Sequence, residues 1–243
     1  MIKNILVIGA SSGIGREMTE NLLKDEKHRV IGGSRDLERL ASFKDLTNFS
    51  ARTCDVTQES AVQELFAALK SEGTALDCVV NCAGSVILKP AHLTSLSEFN
   101  STITLNLTSC FLLLKYAIPV LNPAGASFLF FSTAAVNARV ANHDAIAAAK
   151  SGVEGLTRAA AATYAAKNIR VNAIAPGLVK TPLTERIHGN AASAAASSAM
   201  HALGRLGEPA DIASLACWML SPAAQWMTGQ VIGFDGGLSL KTR

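Results

Sequence analysis

The stretch NILVIGASSGIGREMTENLL, residues 4–23, decides the fold. Continuous apolar residues at 4–9 end in a glycine, which predicts a buried β-strand. The segment 15–26 follows at once and has helical periodicity, with apolar side chains on one face at Met18, Leu22 and Leu23. The stretch therefore predicts a strand, a tight turn and a helix in direct succession.

Three glycines occupy this turn, and each meets a different steric demand. Gly9 permits the sharp turn, Gly13 lets the backbone approach a pyrophosphate, and Gly15 lets the helix pack closely on the strand. The helix N-terminus that follows attracts an anion. A glycine cluster alone also fits a purely structural turn, but in this context it favours binding of a dinucleotide.

The rest of the chain repeats the alternation of strand and helix. Further strands are predicted at 29–34, 49–56, 76–84, 125–133, 169–177 and 230–237, and further helices at 60–72, 95–121, 145–167 and 208–221. This order predicts one α/β domain over residues 1–243: a Rossmann-like, doubly wound parallel sheet of about seven strands with helices on both faces. Residues 178–204 have no clear period and are interpreted as a mobile excursion, in the place of a substrate lid.

Composition excludes several classes of protein. The chain has 243 residues, 49% hydrophobic residues and a net charge of +3 without a basic run, so nucleic-acid binding is not expected. Five cysteines without a CxxC pair predict neither a disulfide framework nor a metal site. No uninterrupted apolar run suits a membrane span, and no signal peptide is evident. These features predict a cytoplasmic protein.

The end of the second predicted strand distinguishes the two nicotinamide cofactors. A carboxylate there would bind the ribose 2′-hydroxyl of NAD, but the chain has Ser34 followed by Arg35. A guanidinium beside a small hydroxyl suits a 2′-phosphate, although Arg35 also fits an ordinary surface charge. Asp36 fits a cap for the following helix. The sequence thus favours NADP(H) over NAD(H).

Motifs along nearly the whole chain resemble the short-chain dehydrogenase/reductase family, especially its β-ketoacyl carrier-protein reductases. The motifs are GASSGIG, CDVT at 54–57, NCAG at 81–84, LNLTS around Asn106, RVNAIAPGLVKTP at 170–182, RLGEPADIA and TGQVIGFDGG. The resemblance implies cofactor contacts from Gly9, Ser11, Ser12, Gly13, Ile14, Gly15, Ser34, Arg35, Asp55, Val56, Asn81, Ala83, Gly84, Lys150, Pro176, Gly177, Val179 and Thr181.

The same resemblance implies a strand order of 3-2-1-4-5-6-7, with the cofactor across the C-terminal ends of the strands. It also implies a dimer or tetramer built on the helices at 95–121 and 145–167. The partner in that assembly is a second copy or an active relative. The substrate is a small molecule or an acyl group on a carrier protein.

Three of the family's four catalytic residues have counterparts in this chain. Asn106 matches the family's asparagine, Thr133 the hydroxyl and Lys150 the lysine of the Tyr-x-x-x-Lys motif. The tyrosine position, four residues before the lysine, holds Ile146, which has no dissociable proton. Ser132 lies next to the hydroxyl position. General acid catalysis contributes about 10²–10⁴-fold, so its loss should cripple the usual carbonyl reduction.

Another proton source is therefore needed if the protein is an enzyme. Tyr164 lies eighteen residues beyond Ile146 on the same helix, roughly 27 Å away, and Tyr116 is also too far from its own helix's Asn106. His143 is a speculative proton shuttle, Lys150 acting through water is an option, and Asp144 is interpreted as the N-cap. The histidines at 28, 92, 188 and 201 are interpreted as surface residues.

Two functions remain open on the sequence. The first is an atypical NADP(H)-dependent oxidoreductase that reduces a β-ketoacyl-like carbonyl with a proton source other than tyrosine. The second is a catalytically silent NADP(H)-binding module that acts as a partner in a hetero-oligomer or as a cofactor sensor. The substrate itself is not specified by the sequence.

Overall fold

A computed structural model describes residues 3–138 and 140–240 of the chain. Seven strands form one parallel sheet in the order β3-β2-β1-β4-β5-β6-β7. The strands are β1 (Lys3–Ile8), β2 (His28–Ser34), β3 (Phe49–Thr53), β4 (Cys78–Asn81), β5 (Ala126–Phe131), β6 (Ile169–Pro176) and β7 (Val231–Phe234). The predicted fold class and strand order are both confirmed.

Helices connect the strands and cover the sheet. They are α1 (Gly13–Leu23), α2 (Glu59–Ser71), α3 (Leu96–Ile103), α4 (Ser109–Ala117), α5 (Ala135–Ala138), α6 (Asp144–Tyr164), α7 (Glu185–His188), α8 (Ala191–Met200) and α9 (Pro209–Leu220). A π-helical turn, Thr104–Thr108, joins α3 to α4, so the predicted helix at 95–121 is continuous but not uniform.

Side chains of β1 alternate between two hydrophobic cores, one on each face of the sheet. Ile5 and Val7 pack in the core that includes α1 and α9, whereas Leu6 and Ile8 pack in the core that includes α2 and α4. A strand whose residues are apolar on both faces is typical of a parallel sheet covered by helices. The uninterrupted apolar run at 4–9 is explained by this double burial.

Several predicted strands extend past the observed ones at their C-terminal ends. β3 ends at Thr53 rather than 56, β4 at Asn81 rather than 84, and β5 at Phe131 rather than 133. The extra residues continue as loops at the C-terminal edge of the sheet. Ligands bind at this edge in open α/β sheets. The residues that follow the shorter strands are therefore in loops where a ligand could contact them.

The segment 178–204 is not an irregular excursion. It contains a 3-10 turn at Pro182–Thr184 and the helices α7 and α8. Asn190 caps α8, since its side chain accepts hydrogen bonds from the backbone N–H groups of Ala192 and Ser193. The segment thus has regular secondary structure although its sequence has no clear period, and its interpretation as a mobile substrate lid stays a prediction.

One helix, Leu96–Val120, is long and apolar enough to cross a membrane by length and composition alone. Core helices pass the same test, and Leu113 and Ala117 of this helix are fully buried against the sheet. The helix also carries the buried side chain of Asn106 at its π-helical turn. The expectation that the protein does not enter a membrane stays a prediction.

Candidate functional site

The glycine turn has the backbone geometry that its sequence predicts. Gly9 adopts a φ of +82°, and a Cβ there would lie 3.0 Å from the backbone nitrogen of Ala83. A Cβ on Gly15 would overlap the carbonyl oxygen of Gly9, so helix α1 starts as close to β1 as backbones allow. Gly13 has a φ of +52° and faces the side chain of Thr181. The turn thus brings the loops after β1, β4 and β6 together.

The N-terminus of α1 is open to an anion. Ser12 precedes the helix in an extended conformation, and its side chain makes no capping hydrogen bond. The first N–H groups of a helix have no partner within the helix, and the helix dipole favours negative charge there. Helix α1 has eleven residues, and its uncapped N-terminus lies beside the glycine turn. This arrangement fits the pyrophosphate of a dinucleotide.

The end of β2 lies beside this turn. The hydroxyl of Ser34 donates a hydrogen bond to the hydroxyl of Ser11 at 3.4 Å, and Arg35 is exposed next to it. Asp36 accepts a hydrogen bond at Oδ1 from the backbone N–H of Glu38, the first residue of the following 3-10 helix, but the N-cap of that helix is Leu37 and not Asp36. One oxygen of the Asp36 carboxylate is therefore bonded to the backbone.

Asp55 lies close enough to Arg35 for their charges to interact. Burial opposes ionisation of Asp55, but hydrogen bonds from Thr57 and the positive charge of Arg35 lower the pKa of its carboxyl below the ordinary value. The next residue, Val56, packs into the hydrophobic core. Asp55 thus presents a charged carboxylate, and the packing of Val56 in the core fixes the backbone next to it.

A cavity of about 270 Å³ opens at the C-terminal ends of β4, β5 and β6. Of the residues predicted for the site, its wall includes Ile14, Ala83, Gly84, Asn106, Thr133, His143, Ile146, Lys150, Pro176, Gly177, Val179 and Thr181. The remaining predicted residues lie outside this wall: Gly9, Ser11, Ser12, Gly13, Gly15, Ser34, Arg35, Asp55, Val56 and Asn81. The fold therefore gathers the predicted catalytic residues in one place.

Lys150 is the buried cation of the cavity. Its side chain projects from α6, and its Nζ donates a hydrogen bond to the carbonyl oxygen of Phe131 at 2.8 Å. Burial lowers the pKa of the Lys150 amine below its ordinary value, and the cavity also brings Gly84 close to Nζ. Lys150 is thus a fixed hydrogen-bond donor that spans the ends of β4 and β5.

Asn106 owes its position to the π-helical turn between α3 and α4. Its side-chain nitrogen donates hydrogen bonds to the carbonyl oxygen of Thr102 and to the hydroxyl of Ser85, at 2.9 and 3.0 Å. Its side-chain oxygen accepts one from the backbone N–H of Ser85. Turns of this kind often occur at functional sites, because the extra residue redirects a side chain. Here the turn joins Asn106 to the loop after β4.

Ile146 lies one turn before Lys150 on α6 and lines the cavity with only 3% of its surface exposed. The chain has two tyrosines, and neither is among the residues that line the described wall. Tyr116 donates its phenolic hydrogen to Glu59 on the outer surface, and Tyr164 packs at the end of α6. The wall beside Lys150 is therefore apolar where Ile146 stands.

The helix α6 begins differently from the prediction. Asp144 is its first residue and His143 is the N-cap, so the interpretation of Asp144 as N-cap is wrong. The side chain of His143 accepts no capping hydrogen bond, and Asp144 places a negative charge at the positive end of the helix dipole. His143 lies on the cavity wall, with its Nδ1 at 2.7 Å from the carbonyl oxygen of Ala141.

Asn81 has its side chain inside the fold. Its nitrogen donates hydrogen bonds to the hydroxyl of Ser109 and to the sulfur of Cys110, and its oxygen accepts one from the backbone N–H of Ala83. These bonds tie the loop after β4 to helix α4. Asn81 therefore shapes the loop that carries Ala83 and Gly84, with no side-chain atom on the cavity wall.

His201 was expected at the surface, and that expectation is wrong. Only 3% of it is exposed, and it lines the cavity. One ring nitrogen accepts a hydrogen bond from the backbone N–H of Leu178, and the other lies 2.8 Å from the carbonyl oxygen of Ser197. His201 thereby fastens the end of α8 to the loop after β6, a contact between distant residues that no local pattern indicates.

Ser132 and Glu154 form a buried hydrogen-bonded pair that sequence reasoning also missed. The hydroxyl of Ser132 donates a hydrogen bond to Glu154 at 2.8 Å, and both residues are buried. Thr133, the residue predicted as the hydroxyl of the site, accepts a hydrogen bond from the backbone N–H of Ala135. The signal that could have found Glu154 is a charged residue on the core face of α6, where Val153 and Thr157 are also buried.

The sequence of this chain is similar to those of known reductases and dehydrogenases. A family model described as Enoyl-(Acyl carrier protein) reductase matches residues 9–239. A 2,5-dichloro-2,5-cyclohexadiene-1,4-diol dehydrogenase of Sphingobium indicum is 34% identical over 242 residues, 98% of this chain and 97% of that protein. The 3-oxoacyl-(acyl-carrier-protein) reductase FabG of Thermotoga maritima is 32% identical over 244 residues, 97% of each chain.

Solved structures have the same fold. A short-chain type dehydrogenase/reductase from Mycobacterium ulcerans superposes with a TM-score of 0.91 at 30% identity, covering 98% of this chain and 90% of that one. A tyrosine-to-phenylalanine variant of ElxO with NADPH bound superposes with a TM-score of 0.89 at 28% identity, covering 99% and 100%. The match over almost the whole length establishes that the chain belongs to the short-chain dehydrogenase/reductase family.

Proposed function

We propose that the protein is an NADP(H)-dependent oxidoreductase in which Ile146 stands at the position of the family's catalytic tyrosine. The observation that carries this proposal is the cavity wall, on which Asn106, Thr133 and Lys150 surround Ile146. Three hydrogen-bonding groups of the family's reaction thus share one wall with an aliphatic side chain. The reaction class follows from the family, and the proton source is what distinguishes this member.

The residues present fit a pyridine dinucleotide. The open N-terminus of α1 and the glycine turn suit the pyrophosphate, and Lys150 suits the hydroxyls of the ribose on the nicotinamide side. Residues 176–179 and Thr181 line the same cavity and suit the nicotinamide itself. When bound, the cofactor supplies or accepts a hydride. The bound NADPH of the ElxO variant supports this assignment by similarity.

We propose a preference for NADP(H) over NAD(H). Arg35 is exposed at the end of β2, and Ser34 is tied to Ser11 of the glycine turn. Asp36 lies one residue beyond Arg35 and accepts a hydrogen bond at Oδ1 from the backbone N–H of Glu38. A guanidinium suits a phosphate through parallel hydrogen bonds, which favours the 2′-phosphate.

The substrate in this proposal is a carbonyl compound or the corresponding alcohol. Thr133 and Asn106 give the cavity polar atoms, while Ile146 and Leu178 give it apolar wall. A β-ketoacyl thioester is one candidate because FabG of Thermotoga maritima is a relative, and a cyclic alcohol is another because of the Sphingobium indicum dehydrogenase. His143, at the N-cap of α6, remains one candidate proton shuttle.

The apolar Ile146 also favours a second function. Without a phenol beside Lys150, the protein would bind NADP(H) and hold it without turnover, as a silent partner of an active relative or as a cofactor sensor. Lys150 would keep a role in this case, because an amine that binds ribose hydroxyls is useful without chemistry. This alternative predicts binding without hydride transfer.

We propose that the protein works in the cytoplasm as a homodimer or homotetramer through α3, α4 and α6, or with an active relative through the same helices. Phe111 on α4 supports this assembly, since 51% of this large apolar side chain is exposed. Small alanines on α6 allow close packing of helices. Sedimentation of wild type and Phe111→Lys tests the surface, and an unchanged assembly would exclude it.

The central experiment measures binding and turnover separately. Calorimetry with NADPH and NADH tests the cofactor assignment, and loss of NADPH fluorescence with small β-ketoacyl thioesters or cyclic ketones tests the reaction. Binding with turnover supports the enzyme, and binding without turnover supports the silent module. Failure to bind either nucleotide would refute both functions.

A further inference from the structure

A buried hydroxyl on the cavity wall is bonded to a buried carboxylate behind it. Ser132 lines the cavity at the end of β5 and donates its hydroxyl hydrogen to Oε1 of Glu154, 2.8 Å away. The two residues are 5% and 6% exposed. The other oxygen of Glu154, Oε2, accepts a hydrogen bond from Arg158 at 3.2 Å. The chain of contacts thus leads from the cavity through Ser132 and Glu154 to Arg158.

Arg158 connects this chain to the outside of the molecule. Its side chain is 58% exposed, whereas the side chain of Glu154 is 9% exposed. The guanidinium supplies the counter-charge for an ionised Glu154, since a buried carboxylate is stable only when it is paired. The exposed end of the pair is in contact with solvent water. The guanidinium stays protonated, so a proton that reaches Glu154 leaves from the 9% of the Glu154 side chain that is itself exposed.

We propose that Ser132 and Glu154 act together as the base that removes the hydroxyl proton of an alcohol substrate. This inference rests on the proposed function and assigns the proton transfer that Ile146 leaves open. The alcohol O–H gives its proton to Oγ of Ser132, and Ser132 gives its own proton to Oε1 of Glu154. The electron pair of the alcohol O–H bond becomes the new C=O bond as the carbon-bound hydrogen leaves as hydride to oxidised NADP. Glu154 then releases the proton to water.

The position of the nearest carboxylate favours this pair over the other candidate bases. No carboxylate belongs to the wall formed by the described residues, and Ser132 is the wall residue that reaches one. Lys150 donates one of its three hydrogens to Phe131, and an ammonium has no lone pair with which to accept a proton. His143 has one ring nitrogen at the carbonyl oxygen of Ala141, and among residues 3–138 and 140–240 no carboxylate lies at hydrogen-bond distance from its ring. An ionised carboxylate behind a hydroxyl is the stronger acceptor for an alcohol proton.

Ligand binding tests the pair without any turnover. The probes are 2,2,2-trifluoroethanol, which donates a hydrogen bond, and 2,2,2-trifluoroethyl methyl ether, which does not, each titrated by fluorine NMR with and without oxidised NADP. A hydrogen bond to Ser132 makes the alcohol bind about two- to twelvefold more tightly than the ether. We expect this alcohol preference in the wild type and a ratio near one in Ser132→Ala.

Removing the charge of Glu154 should reduce the preference while keeping the shape of the site. Glu154→Gln is nearly isosteric and can still accept the hydrogen of Ser132, but its neutral amide polarises the hydroxyl less. The matched control is Glu20→Gln, which removes a carboxylate from an Arg16–Glu20 pair of the same spacing on the surface of α1. We expect the control to keep the wild-type ratio. A ratio unchanged in Glu154→Gln, or equal to one in the wild type, would overturn the proposal.

Turnover separates this inference from the proposed function. For oxidation of cyclohexanol, Glu154→Gln should lower kcat by about 10²-fold or more, the usual contribution of a general base, with little change in KM or in NADP affinity. If calorimetry shows no nucleotide binding, the proposed function fails whatever the alcohol preference is. If the wild type oxidises alcohols and Glu154→Gln does so equally fast, the inference fails and the proposed function stands.

Discussion

Replacing Ile146 with tyrosine restores the group that the family's reaction uses. The new side chain would start from the turn of α6 before Lys150 and face the cavity of about 270 Å³. An ammonium close to a phenol lowers its pKa, and a general acid in that place contributes about 10²–10⁴-fold. We therefore expect Ile146→Tyr to raise the rate of carbonyl reduction by NADPH, by up to about 10²-fold because Ser132 and Glu154 already transfer the proton in the proposed reaction.

The same substitution has a structural cost that can be measured separately. Ile146 is 3% exposed, so the larger ring must displace neighbours or extend into the cavity. Overpacking costs about 1–3 kcal/mol, which lowers the Tm by roughly 2–12 °C for a protein of this size. The cavity gives the ring a direction in which to extend, so a loss near the lower limit is expected.

Ile146→Phe is the matched control, since it adds the ring without the hydroxyl. Stopped-flow fluorescence of NADPH with a small β-ketoacyl thioester compares both variants with the wild type, and calorimetry verifies that each binds NADPH. The phenol is responsible only if tyrosine accelerates the reaction and phenylalanine does not. Equal rates in the two variants, with the nucleotide bound in both, would refute the assignment of this position.

Three further predictions follow from the cofactor site and the buried lysine. Arg35→Ala should weaken NADPH binding by about tenfold or more and NADH binding by less than twofold in calorimetry. Arg39→Ala is the control for the loss of one positive charge. Equal losses for both nucleotides in Arg35→Ala would exclude a contact between Arg35 and the 2′-phosphate. Gly15→Ala should abolish NADPH binding and lower the Tm because its Cβ overlaps Gly9, whereas Gly155→Ala, which meets no atom within 4 Å, should leave both unchanged or raise the Tm. Burial lowers the pKa of Lys150 from 10.5, so Lys150 binds more protons in the unfolded chain and its contribution to the free energy of unfolding rises with pH up to about 10.5. In urea titrations the slope of this free energy against pH should therefore be less positive in Lys150→Met than in the wild type, and equal slopes would contradict it.

The local parts of the fold could be predicted from the sequence because their causes are local. Gly9 and Gly15 are required by contacts within a few residues, and the apolar run of β1 reflects burial on both faces. The strand order came from the family resemblance, which the sheet confirms. Periodicity located α6 to within a residue at its start but assigned the cap to Asp144 instead of His143.

The parts that were missed depend on contacts between distant residues. Helix α8 has no buried residue, so its alanines and serines carry no amphipathic pattern to detect. His201 is buried because it joins Leu178, twenty-three positions away, to Ser197. Glu154 looks like the polar member of a helix surface until its partner Ser132, just after β5, is known. Such positions require the fold before they can be interpreted.

The buried Ser132–Glu154 pair distinguishes the enzyme from the silent module on energetic grounds. Taking a carboxylate out of water costs several kcal/mol, and replacing a buried polar pair by apolar residues of similar size is often neutral or stabilising. A silent module needs Lys150 for the ribose but gains nothing from this pair. The double variant Ser132→Ala with Glu154→Leu should then keep its Tm and its NADPH affinity under both functions. Loss of alcohol oxidation in that stable, nucleotide-binding variant would show that the pair serves the reaction, and full retention would leave it a packing feature between β5 and α6.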